Sequence, residues 1–184
     1  MDKTEFQRTF LLEALPEPLT RASRHIQIFD NYIADTRIRL RSIRDPQTRT
    51  WTRILQQRFP IAENDPAALR IEEIYLNDAE YDRFKLFEGT EIRKNRYFHE
   101  FDSKIFVFDV FLGELWGLNM AKIEFENVDD QRRFEPPPFL FLEVTNNAFF
   151  LGERLVSKKF TDVLAEVAKL ETFELSPNKG GGRL

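Results

Sequence analysis

Short runs in which apolar and polar residues alternate, separated by turn-forming clusters, dominate this chain. Thr4 to Leu12 alternates at its start and is wholly apolar at its end, as a half-buried strand would be. After a turn-rich stretch through Pro16 and Pro18, the segments His25 to Tyr32, Thr36 to Ile43 and Trp51 to Phe59 read as three further strands. The last two are joined by a hairpin loop at Asp45-Pro46. Arg70 to Leu76 is another, and Asn77 then has the chemistry of a helix N-cap for a helix running to about Leu86. Glu91 to Phe98, Lys104 to Phe111 and Ala121 to Glu126 are rich in aromatic and β-branched residues and complete eight strands. The Pro136-Pro137-Pro138 run cannot continue a ladder and sets off a short terminal strand, Phe139 to Thr145, before a last helix from Thr161 to Leu170.

Five strands precede the first helix. Hairpins and an antiparallel sheet follow from that order, rather than βαβ units, and a barrel or strongly curved sheet is the natural closure. The expected class is therefore α+β, with strands dominant and a few peripheral helices.

Composition narrows the picture. With 184 residues, 42% hydrophobic content and 19 Phe against 7 Gly, the chain can pack one core, expected over residues 1–175. Residues 176–184, with Gly180-Gly181-Gly182, read as a flexible tail. The formal net charge of −4 argues against a general DNA- or membrane-binding surface, so any anion site must be local. The absence of Cys excludes a disulfide framework, a thiolate zinc site and a Cys nucleophile, and two His argue against a His-rich metal site. A charged start without an apolar core makes a cytoplasmic location the expectation.

Charge placement is the informative feature. Arg37, Arg39 and Arg41 occupy alternate positions and would share one face of their strand, as would Lys94 with Arg96 and Lys122 with Glu124 and Glu126. Arg53 and Arg58 differ in parity, so only one of them can share an inner face. Alternation alone fits either a solvated outer face or a charged interior. Mixed signs over many strands suit a polyphosphate held with a metal, because phosphate oxygens favour Arg and Lys while Mg²⁺ or Mn²⁺ favours carboxylates. The phenylalanines Phe139, Phe141, Phe149 and Phe150 read as core, and His99 beside Glu100 as a strand-end histidine. The chain has no phosphate-binding glycine loop, so side chains must hold any phosphate.

Several segments, in order, resemble the CYTH family, also called triphosphate tunnel metalloenzymes. Glu5-Phe6-Gln7-Arg8-Thr9-Phe10-Leu11 resembles its opening Glu-x-Glu-x-Lys strand, and Arg39-Leu40-Arg41 its paired-arginine strand. Gln57-Arg58-Phe59-Pro60 is similar to a segment that usually supplies a lysine, and Lys94-Asn95-Arg96-Tyr97 to a Lys-x-Arg-Tyr strand. Phe108-Asp109-Val110-Phe111, Gly117-Leu118 and Ala121-Lys122-Ile123-Glu124 resemble its Asp-x-Phe, Gly-Leu and Ala-Glu-x-Glu stretch, and Glu143-Val144-Thr145 its Glu-Val-Thr. The resemblance implies an eight-stranded antiparallel β-barrel, a tunnel binding inorganic, nucleoside or thiamine triphosphate with Mg²⁺ or Mn²⁺. It implies Arg39, Arg41, Arg58, Lys94, Arg96 and Lys122 on phosphates, Glu5, Glu124 and Glu143 on metal, and Glu5 and Glu124 as catalytic groups. Triphosphate hydrolysis is then the expected activity; a non-catalytic nucleotide or polyphosphate binder and a class IV-type adenylate cyclase are the alternatives. A small-molecule partner is expected, with no nucleic acid and no membrane, and a homodimer is compatible with the sequence.

This chain departs from that pattern at three places. Gln7 stands where a glutamate is expected, Thr9 where a lysine is expected, and Lys122 where the first glutamate of the later pair is expected. Gln keeps an oxygen but not the charge that makes a hard-cation site strong. The expectation is a degraded metal site, with Lys122 partly replacing the ion and hydrolysis weakened.

Overall fold

The computed structural model describes residues 3–60, 68–87 and 89–174; the side chains of Lys3, Thr4, Glu5, Pro60, Ala68, Leu69, Phe173 and Glu174 lie outside that description. The strands are β1 (Lys3–Leu11), β2 (Ile26–Ile33), β3 (Ile38–Arg44), β4 (Trp51–Pro60), β5 (Ala68–Leu76), β6 (Gly89–Phe101), β7 (Lys104–Phe111), β8 (Asn119–Phe125) and β9 (Leu142–Glu143). The helices are α1 (Asp78–Phe84), α2 (Val128–Arg133), α3 (Gly152–Leu155) and α4 (Phe160–Glu174). Strand pairing is antiparallel throughout, in the order β5-β4-β3-β2-β6-β7-β8-β1-β9, and β1 also pairs with β5. The expected antiparallel sheet with few helices is what the chain forms.

Local chemistry accounts for the elements. Asn77 caps α1 through a reciprocal box, its side chain accepting from the Glu80 amide at 2.9 Å while Glu80 accepts from the Asn77 amide at 2.8 Å. Strand β6 runs on to Phe101, beyond the expected Phe98, because Phe98–Phe101 pair with Lys104–Val107 across a turn in which Asp102 and Ser103 take positive φ. The expected strand from Phe139 to Thr145 reduces to Leu142–Glu143, since the chain leaving the proline run turns at Pro137–Leu140 before reaching β1. Helix α4 begins at Phe160, with Asp162 accepting from the Lys159 amide at 2.9 Å. The expected tail lies outside the described residues. Among the described residues no helix is long and apolar enough to cross a membrane.

Two apolar clusters bury the two faces of β6, β7, β8 and β1. On one face Phe10, Tyr97, Phe106, Phe108, Ala121 and Ile123 are covered by Phe134, Phe139 and Leu140. On the other Leu11, Ile92, Phe111, Met120 and Val144 pack with Phe150, Leu155 and Val163 from the C-terminal elements. That second face carries Lys94, Asp109 and Lys122 further along the same strands. One surface is thus apolar at one end and charged beyond it.

Candidate functional site

Register brings alternate residues of every strand to this second face. Asp30 stands opposite Arg41, Tyr32 opposite Arg39, Arg39 opposite Gln56, and Gln56 opposite Glu73. Arg96 stands opposite Asp109, Thr9 opposite Lys122, and Gln7 opposite Glu124. They surround a cavity of about 100 Å³ lined by Arg39, Arg41, Arg58, Arg96, Lys122 and Glu124 among others, with Phe111, Met120, Phe150 and Leu155 as its apolar floor. A recess of about 20 Å³ adjoins it, walled by Gln7, Thr9, Arg58, Lys122 and Thr145.

Two aspartates, each about 1% exposed, order the cations. Asp30 accepts from Arg41 Nε at 2.6 Å and Nη2 at 2.7 Å, and from Arg39 Nη1 at 3.4 Å. Asp109 accepts from Arg96 Nε and Nη2, both at 2.7 Å, and from Lys94 Nζ at 2.8 Å. Burial alone would raise both carboxyls, but Arg39 and Arg41 around Asp30, and Arg96 and Lys94 around Asp109, hold them well below the usual carboxylate range. Each bidentate fork uses one edge of its guanidinium and leaves Nη1 of Arg41 and of Arg96 for other acceptors.

Arg39 is engaged on all three nitrogens: Nε donates to Gln56 Oε1 at 2.9 Å, Nη2 donates to the same oxygen, and Nη1 donates to the Tyr32 hydroxyl at 3.0 Å as well as to Asp30. Gln56 in turn donates to Glu73. Burial outweighs the attraction of Asp109 and presses Lys94 down to about 8. Lys122 is held well below its ordinary value, first by burial and then by the like charges of Arg58 and Lys94.

The structure brings Arg39, Arg41, Arg58, Arg96, Lys122 and Glu124 to one cavity. Lys94 is on the expected face, but it is bound to Asp109, packed 5.3 Å from the Phe111 ring centroid, and not among the cavity-lining residues. The Glu5 side chain lies outside the described residues. Glu143 is not brought in: at the outer edge of β1 it accepts from Arg8 Nε at 2.8 Å and Nη2 at 2.5 Å, and from the Thr145 hydroxyl at 2.6 Å. Of the two arginines of opposite parity, Arg58 lines the cavity, while Arg53 stacks outside between Trp51 and Tyr81 at 4.2 and 4.1 Å. Arg37 precedes β3, is exposed, and lies 4.5 Å from the Phe59 ring centroid. Residues missed from the sequence are Asp30, Gln56, Tyr32 and Glu73; the parity they share with Arg39 and Arg41 once the strands are in register is the signal that would have found them.

Among the described residues the donor set does not suit the divalent ion that the resemblance implies. Among the described residues no three His, Cys, Asp or Glu side chains come together as a metal-binding group. Asp30 and Asp109 already hold two cations each, Glu143 is held by Arg8, and Glu124 faces uncharged Gln7. A hard cation needs several anionic oxygens, and here an ammonium intrudes.

Arginines and a lysine from several strands of one antiparallel sheet thus face a single cavity, a donor set whose chemistry suits an anion. No family model matches the chain. Over 69 residues it is 35% identical to the inorganic triphosphatase of Nitrosomonas europaea, a match covering 37% of this chain; the chain spans about half (46%) of that relative's length. Its fold is similar to the crystal structure of the inorganic triphosphatase NE1496, with a TM-score of 0.57 and 22% identity over 83% of this chain and 93% of the other. A second structure, of the hypothetical protein NE1496, matches with a TM-score of 0.57 and 23% identity over 84% of this chain and 99% of the other. The likeness to these structures shows a shared fold, and the 69-residue match is in keeping with the resemblance to the CYTH family carried by the ordered motifs of the sequence.

Proposed function

We propose that the chain binds a triphosphate-bearing anion in a tunnel, with the β1–β5 pairing closing eight strands into a barrel around it. The observation that carries this reading is the convergence of Arg41, Arg58, Arg96 and Lys122, from four different strands, on one cavity with an apolar floor. Arg41 and Arg96 are pre-oriented by Asp30 and Asp109, so little guanidinium freedom is lost when phosphate oxygens arrive. Arg58 and Lys122 face the same anion from β4 and β8. Inorganic, nucleoside and thiamine triphosphates all present the required group.

Turnover is slow in this reading. Glu124 is the one expected catalytic group whose side chain is described at the cavity, where it would orient water. The similarity to an inorganic triphosphatase supports the ligand class more than it supports the rate.

Thermal shift with inorganic triphosphate, ATP and thiamine triphosphate, paired with a phosphate-release assay, tests both halves. Stabilisation by at least one triphosphate with slow phosphate release is expected. Rapid Mg²⁺- or Mn²⁺-dependent release would replace the binder with an efficient triphosphatase, and no stabilisation by any of the three would remove the triphosphate reading altogether.

A further inference from the structure

We propose that the cavity takes up its triphosphate without a divalent ion, the Lys122 ammonium offsetting the charge that a metal would otherwise offset. This deepens the triphosphate-binding reading and rests on it. Lys122 stands on β8 directly across the ladder from Thr9, and lines both the cavity and the adjoining recess with Arg58. Confining these like charges to one small space is unfavourable in the free protein, and a bound polyanion relieves it.

The carboxylates point the same way. Glu143 is turned to Arg8 outside the cavity, and Asp30 and Asp109 are each bound by two cations. The acidic side chains described at the cavity are Glu73, hydrogen-bonded to Gln56, and Glu124, opposite neutral Gln7. Among the described residues, a divalent ion placed there would meet few anionic oxygens and several like charges.

The departures from the CYTH pattern are also adjacent in space. Glutamine for glutamate at 7 adds one positive unit, lysine for glutamate at 122 adds two, and threonine for lysine at 9 removes one. The balance is two units more positive, the charge of one divalent ion. Because Gln7 pairs with Glu124 and Thr9 with Lys122, all three changes fall on alternate rungs of a single β1–β8 ladder, which share one face, so the gain is local to the cavity wall.

The test is calorimetric titration of the full chain with inorganic triphosphate, in EDTA and again in Mn²⁺. The wild-type affinity in EDTA should lie within about threefold of that in Mn²⁺. Lys122→Met should weaken EDTA binding by about tenfold or more, as for loss of one charge-assisted contact, while Lys122→Arg should keep most of it. Lys122→Glu should bind only when Mn²⁺ is present. Wild-type binding that requires Mn²⁺, or Lys122→Met and Lys122→Arg variants indistinguishable from each other in EDTA, would overturn the proposal and leave the triphosphate-binding reading standing. Failure of the wild type to bind in either buffer would overturn both. Should Lys122→Met not fold, the comparison of wild type in the two buffers and Lys122→Arg still decide the matter.

Discussion

Asp109→Asn keeps the size of the side chain and removes the charge that holds Lys94 and Arg96. In the native protein both carboxylate oxygens are used, by two hydrogen bonds from Arg96 at 2.7 Å and one from Lys94 at 2.8 Å, at a position about 1% exposed. An amide offers one oxygen where there were two and turns a donor toward the cations. Removing one partner of a buried ion pair costs about 3–5 kcal/mol, because the remaining charge stays buried without its counterion. Arg96 is 17% exposed and keeps some water, so the lower end, about 3 kcal/mol, is expected. At a urea slope near 2 kcal/mol per molar, that moves the unfolding midpoint down by about 1.5 M. Urea unfolding followed by far-UV circular dichroism measures it. Adding Lys94→Met to Asp109→Asn should recover part of the loss, and replacing Asp109, Lys94 and Arg96 together by Leu, Met and Leu should recover more while abolishing triphosphate binding. A midpoint for Asp109→Asn within about 0.3 M of wild type would refute the reasoning, since it would mean that no buried charge depends on this carboxylate.

Acid should unfold the protein through the same aspartates. Asp30 and Asp109 are held below the ordinary carboxylate range when folded, so the unfolded chain binds more protons; their contribution is complete above about pH 5 and is lost as pH falls through about 4 toward the folded values. Urea midpoints at pH 7, 4 and 3 should fall in that order, and a midpoint independent of pH would contradict it. Gly152→Ala should destabilise by about 1–3 kcal/mol, because a Cβ there overlaps the Tyr32 hydroxyl that Arg39 donates to; a melt should show it, and Tyr32→Leu in the same chain should restore most of it. Glu143→Gln should leave triphosphate affinity unchanged in calorimetry, since its carboxylate is turned to Arg8 outside the cavity; a metal-dependent loss of affinity would show that Glu143 reaches the site after all.

Much of this was legible in the sequence because it depends on period alone. Arg39 and Arg41 share a face, Arg53 and Arg58 do not, and Asn77 caps a helix, whatever the tertiary arrangement. The depth of a charge on its face was not legible. Lys94 has the parity of a phosphate contact, yet Asp109, one strand away, binds it among the core side chains. Asp30 carried no motif, and its role emerges only when β2 and β3 are in register and Arg41 falls opposite it. Glu143 misled for a related reason. Its Glu-Val-Thr setting says nothing of Arg8, which projects from β1 on the side where β9 docks.

The pairing of β1 also has a consequence for how the chain comes together. This strand forms ladders with three others, reaching β5 at residue 68, β8 at residue 125 and β9 at residue 143. During synthesis it leaves the ribosome before any of them, and its last rungs, Phe10 with Glu143 and Leu11 with Leu142, cannot form until most of the chain has emerged. Contacts that distant in sequence form slowly, and an incompletely paired apolar strand invites association with other chains in the interval. The strand bearing Gln7 and Thr9 is therefore among the last to find its neighbours, and assembly of the cavity wall coincides with the end of folding.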